Sequence, residues 1–329
     1  VSLIVEVPAH LSHSSADNVV GSYCPASYFF DRVLGKPSIP GWAMIGGSAL
    51  HAASEDWDHR LVESGEAVED PSELQGMFEM ALDIEIKKTL DKTPYPKDEW
   101  HRSGRQSGQH TNSGGPNKKD EAWWRRRGPE MLASWASWRL TSGWEIASID
   151  KLTLPTDAVV DGDVIRTEHP EQVGRQSVWG IEVPFEVEIA GIPVKGYIDR
   201  VFEKDGEYLV VDLKSGREPD STAQLGTYRE GLLRQYGLDA RWGAYWLGET
   251  GLSTSLTQLD VKWPAARVER RFAAARRRQL AGEFDPKPSN LCGSCGVRQF
   301  CAEFGGEKAA QTPQPWDVSE VRIQSLDRS

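Results

Sequence analysis

The spacing of apolar residues divides the chain into a largely helical first part and a strand-rich second part. Leu50, Trp57 and Leu61 repeat at helical intervals, and Ser48, just after Gly46 and Gly47, stands where an N-cap would open that helix. Before it the chain reads as a short, loop-rich entry. Residues 59–145 keep helical spacing, with one break at 101–117, a Gly/Ser/Asn/Gln-rich stretch that reads as a mobile loop. Trp123, Trp124, Trp135 and Trp138 restore the spacing and read first as core-packing rings.

From about 146 the period becomes that of strands. Residues 181–189, 194–202 and 208–213 are β-rich, 221–236 is a helix ending at Gly237, and 241–247 and 255–261 are further strands. A basic helix over 265–281 leads into a Pro-rich loop and a group of cysteines, and the chain beyond Gly305 reads as a tail. No internal repeat is present. These breaks suggest five regions: an N-terminal segment (1–58), a helical insertion with a basic loop (59–145), a central core (146–261), a basic helix with the cysteines (262–305) and a tail (306–329).

Composition narrows the class. With 329 residues, 39% of them hydrophobic and 26% charged, the chain can bury a sizeable core without disulfides. No apolar run approaches the roughly 20 residues of a membrane span, so no membrane association is expected. The first eleven residues lack the basic and apolar regions of a signal peptide, which makes a reducing, cytoplasmic compartment the expectation. A net charge of -11 argues against coating nucleic acid through the overall field. Two basic islands interrupt it, with seven Lys/Arg against two acids over 101–127 and seven against one over 262–278. Either island reads equally well as a solvated face or as a nucleic-acid contact.

The sharpest constellation surrounds Asp205-Gly206, a pair that favours a two-residue type I′ hairpin turn. With those two residues as the loop, Lys204 pairs with Glu207 and, five steps on, Asp199 faces Asp212. Lys214, two residues after Asp212, projects from the same face. Like charges opposed on a sheet are destabilising, so two acids and a lysine converging there suggest a hard divalent cation, Mg²⁺ or Mn²⁺. Such an ion lowers the pKa of a bound water and neutralises charge on a phosphate.

This arrangement resembles the signature of RecB-like PD-(D/E)xK nucleases, with Asp199 as the first acid and Asp212-Leu213-Lys214 as the D/E-x-K element. Gln224 and Tyr228 match that family's Q-x-x-x-Y element on the helix after the catalytic hairpin. Gly47 to His51 matches its G-x-x-x-H element, whose histidine completes the metal shell. The resemblance implies His51, Asp199, Asp212 and the Leu213 carbonyl as metal ligands, and Asp199, Asp212, Lys214, Gln224 and Tyr228 as catalytic residues. Glu55 and Glu182 are candidate outer-shell acids. The implied fold is α/β: a restriction-endonuclease-like core with a central mixed sheet flanked by helices, a helical insertion and a C-terminal Fe-S-binding region.

Cys292, Cys295 and Cys301 form a C-x2-C-x5-C pattern, and the fourth cysteine is Cys24. Four thiolates with a close pair suggest a tetrahedral metal site or an iron-sulfur cluster, and spacing alone does not separate Zn²⁺ from 4Fe-4S. One cysteine ahead of the histidine element and three behind the core is the pattern of iron-sulfur nucleases similar to the AddB nuclease domain, CRISPR adaptation nucleases and related phage exonucleases. On that resemblance the cofactors are a 4Fe-4S cluster and Mg²⁺ or Mn²⁺. A cluster held by Cys24, Cys292, Cys295 and Cys301 would close a loop of about 270 residues and restrict the unfolded chain accordingly.

The implied activity is DNA hydrolysis by an exonuclease acting on single strands or ends, in recombination, repair or phage DNA processing, the last within a host cytoplasm. Candidate protein partners are a recombination helicase, an annealing protein or an integrase. One rival is a CRISPR adaptation nuclease that trims prespacers. Another, from a different class, is a non-catalytic DNA-binding module with a structural zinc-cysteine site.

Overall fold

The structure is a computed structural model, describing residues 2–21, 23–102, 118–149, 157–160, 163–166, 179–324. Most of the sequence-predicted loop at 101–117 lies outside the described residues. Its elements in chain order begin with β1 (Leu3–Val7), α1 (His13–Val20), α2 (Pro25–Tyr28) and α3 (Trp42–Ser64). They continue with α4 (Pro71–Lys92), α5 (Glu121–Thr141), β2 (Glu145–Ile146), and the separate hairpin β3 (Asp157–Val160) and β4 (Asp163–Arg166). Next come β5 (Ile181–Ile189), β6 (Ile192–Lys204), β7 (Glu207–Lys214), α6 (Ala223–Tyr236) and β8 (Trp242–Leu247). The chain ends with β9 (Leu252–Ser253), β10 (Thr257–Gln258), α7 (Leu259–Lys262), α8 (Ala265–Leu280) and β11 (Val318–Ile323).

One mixed sheet runs β10-β8-β7-β6-β2, with β5 added beside β6 and β9 beside β8. β7 and β8 are parallel, joined through α6, whereas β5, β6 and β7 form an antiparallel meander. Alternation along the strands gives the sheet two apolar faces. Val201 and Val210 point into a core shared with α1, α2, α6 and α8, while Phe202, Leu209, Val211 and Leu213 point into a second core with α3, α4 and α5. Trp124 and Trp135 are fully buried in that second core and Trp123 and Trp138 pack at its edge, so the tryptophans are packing rings.

Several sequence expectations need correction. Ser48 is no N-cap: α3 starts at Trp42 with Gly41 as its cap, and the glycine pair lies inside it. A Cβ on Gly46 would stand 2.0 Å from the Trp124 ring, so close helix packing, rather than a break, requires that glycine. The entry is structured, not loop-rich. The strand expected over 255–261 is only Thr257–Gln258 and turns at once into α7. Residues read as a tail include β11, which pairs in parallel with β1. The basic helix is largely used internally: Arg276 donates to the Pro8 and Ala9 carbonyls, Arg271 pairs with Asp17, and Arg267 stacks on Trp263. Among the described residues no helix is long and apolar enough to cross a membrane.

Candidate metal and nuclease site

The β6–β7 hairpin has the expected register, from Lys204↔Glu207 to Arg200↔Val211, with Asp205 and Gly206 both at positive φ as a type I′ turn needs. The ladder ends at Arg200↔Val211, one step before the expected Asp199/Asp212 pair. Beyond that point β6 continues beside β5 alone, and a fork opens. Asp199 bridges it: its Oδ2 accepts from the Leu213 amide at 2.8 Å. Both acids are buried, Asp199 at 6% exposure and Asp212 at 1%.

On the other side of β6, the rungs Ile181↔Arg200 and Val183↔Ile198 set Glu182 opposite Asp199. Glu182 has a left-handed backbone, φ 45°, uncommon for a side-chain-bearing residue in a strand and the kind of strain that collects at functional sites. His51 comes in from α3 to meet both acids. Its Nδ1 lies 3.5 Å from Asp199 Oδ2 and 3.9 Å from Glu182 Oε1, and its Nε2 lies 2.9 Å from the Leu213 carbonyl oxygen. One ligand atom each from His51, Glu182 and Asp199 fit within 4.8 Å of one another.

Charge is unevenly balanced there. Burial and the Asp212 charge push the Asp199 carboxyl up to about 7, against the pull of His51. Burial opposes an imidazolium at His51, but Asp199, Glu182 and Asp212 outweigh it and hold the ring at about 9. Burial would likewise raise Glu182, yet its hydrogen bond to His51 and the Arg200 charge bring it below the usual range. A buried acid cluster of this kind, with hard oxygen donors and one imidazole, suits Mg²⁺ or Mn²⁺.

Asp212 lies outside that three-residue group and belongs to a ring of four side chains. The Lys214 ammonium donates to Gln224 Oε1 at 2.9 Å, Gln224 Nε2 donates to the Tyr228 hydroxyl at 2.7 Å, and that hydroxyl donates to Asp212 Oδ1 at 3.2 Å. The ring closes where Lys214 Nζ lies 2.7 Å from Asp212 Oδ2, near enough for an ion pair though off the axis of a hydrogen bond. Burial disfavours the ammonium, but Asp212 and Asp199 more than compensate and keep Lys214 protonated. Gln224 and Tyr228, four apart on α6, present the matched edge of the ring. Glu55, one turn beyond His51, lines the cavity on that side without joining the metal-sized group.

Arg200, Asp58 and Arg139 escaped the sequence reading. Arg200 is fully buried and donates to Asp58, Glu182, Ser54 and the Asp199 carbonyl. Asp58, with no exposed surface, also accepts from Arg139 and Trp135. The available signal was Arg200, which with Asp199 stands between Ile198 and Val201-Phe202 in a strand otherwise apolar there, and so calls for a buried partner.

The four cysteines approach one another where the 287–301 segment meets the start of α2. The Cys295 thiol is pushed up by burial and then by Cys24, Cys292 and Cys301, and the Cys301 thiol by burial and then by Cys24 and Cys292. Backbone amides of Lys287 and Ser289 donate to the sulfurs of Cys24 and Cys292.

Residues 10–302 match the PD-(D/E)XK nuclease superfamily. The chain is also similar to the Gene 69 proteins of Mycobacterium phages L5 and D29, at 28% identity in each case. The first alignment covers 85% of this chain and 92% of the L5 protein, the second 85% and 93% of the D29 protein. With its acids, lysine and histidine gathered at the fork of the hairpin, the chain belongs to the PD-(D/E)XK nuclease superfamily.

Proposed function

We propose that this protein is a metal-dependent DNA exonuclease acting on single strands or DNA ends. The superfamily indicates a nuclease that hydrolyses phosphodiester bonds in DNA with divalent metals such as Mg²⁺. The observation that carries the finer reading is the ring of Asp212, Lys214, Gln224 and Tyr228 set against the His51, Glu182 and Asp199 group. The two aspartates are deeply buried, and Lys214 beside them lines two cavities, which a flexible single strand can enter more readily than a duplex. Similarity to proteins of two mycobacteriophages supports a place in phage DNA processing.

His51, Glu182, Asp199, Asp212 and the Leu213 carbonyl would hold Mg²⁺ or Mn²⁺. A cation bound there supplies a Lewis acid for the phosphate and a water of lowered pKa. Lys214 would hold the attacking water or steady negative charge growing on the phosphate. Tyr228 and Gln224 hold Asp212 and Lys214 in place.

Cys24, Cys292, Cys295 and Cys301 are proposed to hold a 4Fe-4S cluster. The choice of an iron-sulfur cluster over zinc rests on the resemblance of this cysteine pattern to that of iron-sulfur nucleases. The amides of Lys287 and Ser289 on Cys24 and Cys292 are also of the kind that tune clusters.

Incubation of end-labelled single- and double-stranded DNA with the protein and Mg²⁺ or Mn²⁺ tests the activity. Progressive shortening of single strands, lost in Asp212→Ala, is expected; wild-type rates in that variant would end the assignment. Brown protein absorbing at about 400 nm with iron and sulfide is expected, whereas colourless zinc protein would replace the cluster by a structural zinc site.

A further inference from the structure

Two cavities flank the catalytic ring, and Lys214 stands in the wall of both. One, of about 530 Å³, lies on the His51 side. The other, of about 640 Å³, lies between α1, the middle of β6 and the segment leading into α6, and beyond admitting the strand it has no assigned role so far. That volume is in the range of small-molecule sites, roughly 300–1,000 Å³.

Its wall has a distinctive chemistry. Lys195, Lys214 and Arg217 are matched by Asp17, Glu218 and Asp220, so no net charge draws a phosphate inside. Lys195 is moreover paired with Glu186 at 3.1 Å. What sets the wall apart is a pair of exposed tyrosines: Tyr23 is 58% exposed and Tyr197 42%. Both stand next to the chemistry. Tyr197 precedes Asp199 by two residues on β6. Tyr23 lines the same cavity as Lys214. Ser12, Ser14, Ser221 and the partly buried His13 add neutral donors and acceptors, the His13 pKa being lowered by desolvation and by the Arg271 and Lys214 charges. Exposed aromatic rings, neutral polar groups and no net charge match a nucleobase, which has a π face, polar edges and no charge of its own.

We propose that this cavity seats one unpaired base of the DNA strand, stacked on Tyr23 and Tyr197, beside the phosphodiester presented to Lys214. The proposal rests on the nuclease reading above. A base in a duplex is paired and stacked and cannot enter without being flipped out, so the cavity favours single strands and frayed ends.

Fluorescence anisotropy with a labelled oligothymidylate in EDTA measures binding without cleavage, and steady-state cleavage in Mn²⁺ gives KM and kcat. Tyr23→Ala and Tyr197→Ala are each expected to weaken binding about tenfold and to raise KM more than they lower kcat. Tyr23→Phe and Tyr197→Phe should recover most of the affinity, since the ring does the stacking. Moving a single abasic position along the oligonucleotide should find one place where the missing base costs the wild type about the same factor and costs Tyr23→Ala little. Alanine variants that bind as tightly as wild type, or a wild type indifferent to the abasic position everywhere, would overturn the proposal. If an alanine variant fails to fold, the abasic series on the wild type decides alone. Base-dependent binding without cleavage in Mg²⁺ or Mn²⁺ would remove the nuclease reading and keep the base site. Cleavage with no base dependence would do the reverse, and neither binding nor cleavage of single strands would end both.

Discussion

His51 Nε2 lies 2.9 Å from the Leu213 carbonyl oxygen, across the fork where β6 leaves β7, while its Nδ1 faces Asp199 and Glu182. Without a metal, the protonated ring occupies this group as a cation: burial opposes its charge, but Asp199, Glu182 and Asp212 hold it at about 9.

The first prediction follows from those protons. Burial and Asp212 push Asp199 up to about 7, so both groups bind protons more tightly in the fold than in the unfolded chain, where ordinary values are about 3.9 for Asp and about 6.5 for His. The stability this provides is complete below those ordinary values. It is lost as pH rises through about 7 for Asp199 and about 9 for His51. A divalent cation needs the same atoms unprotonated, so its binding releases protons and its stabilisation grows over that window. The Tm gained on adding Mn²⁺ should be larger at about pH 8.5 than at about pH 6, and calorimetry in buffers of different protonation enthalpy should show proton release. An equal gain at every pH would take His51 and Asp199 out of the ligand set.

Tyr228→Phe removes one hydroxyl from the ring of four. Asp212 Oδ1 loses its donor and Gln224 Nε2 its acceptor, while the aromatic packing on Phe185 stays. A hydrogen bond to a charged group contributes about 1.5–3 kcal/mol, so kcat should fall about tenfold or more if the ring is set for the reaction. Binding of single-stranded DNA should change little. A drop in DNA affinity with kcat intact would instead place Tyr228 on the strand and not behind Asp212.

Gly46→Ala tests the packing that brings α3, and with it His51, to the sheet. The added Cβ would stand 2.0 Å from the rigid Trp124 ring, so α3 and α5 must separate. Overpacking of this kind costs about 1–3 kcal/mol, visible as a lower urea midpoint. His51 should also move relative to Leu213 and weaken Mn²⁺ binding. Gly76→Ala is the control, because nothing lies near that position in α4 and helix propensity favours alanine there.

The hairpin was legible because Asp205-Gly206 fixes the register, and register alone determines which residues oppose one another. The same arithmetic could not reveal that β6 swings toward β5 at Arg200, which makes Glu182 the neighbour across from Asp199 and leaves Asp212 to Lys214 and Tyr228. Gly46 and Gly47 misled for a related reason. A glycine pair marks a helix break when only local propensity acts, and here the close approach of Trp124 overrides it. β11 was missed because its partner β1 is more than 300 residues away and its side chains are mostly exposed, so no apolar alternation marks it.

Asp58 offers the sharpest separation of stability from metal binding. It is fully buried and accepts from Arg200 at 2.7 Å and Arg139 at 2.8 Å, and Arg200 in turn holds Glu182. Asp58→Asn leaves two buried guanidinium groups facing a neutral amide, a loss of about 3–5 kcal/mol for a broken buried pair. Arg200 should then lose its anchor and Glu182 its orientation, so Mn²⁺ affinity falls as well. Arg139→Met removes the other arginine, which bonds the Trp144 carbonyl and packs on Phe202 but makes no hydrogen bond to Glu182. That variant should lose stability in urea and keep its Mn²⁺ affinity. If the two variants shift unfolding and metal binding in the same proportion, Arg200 supports the fold alone and Glu182 does not depend on it.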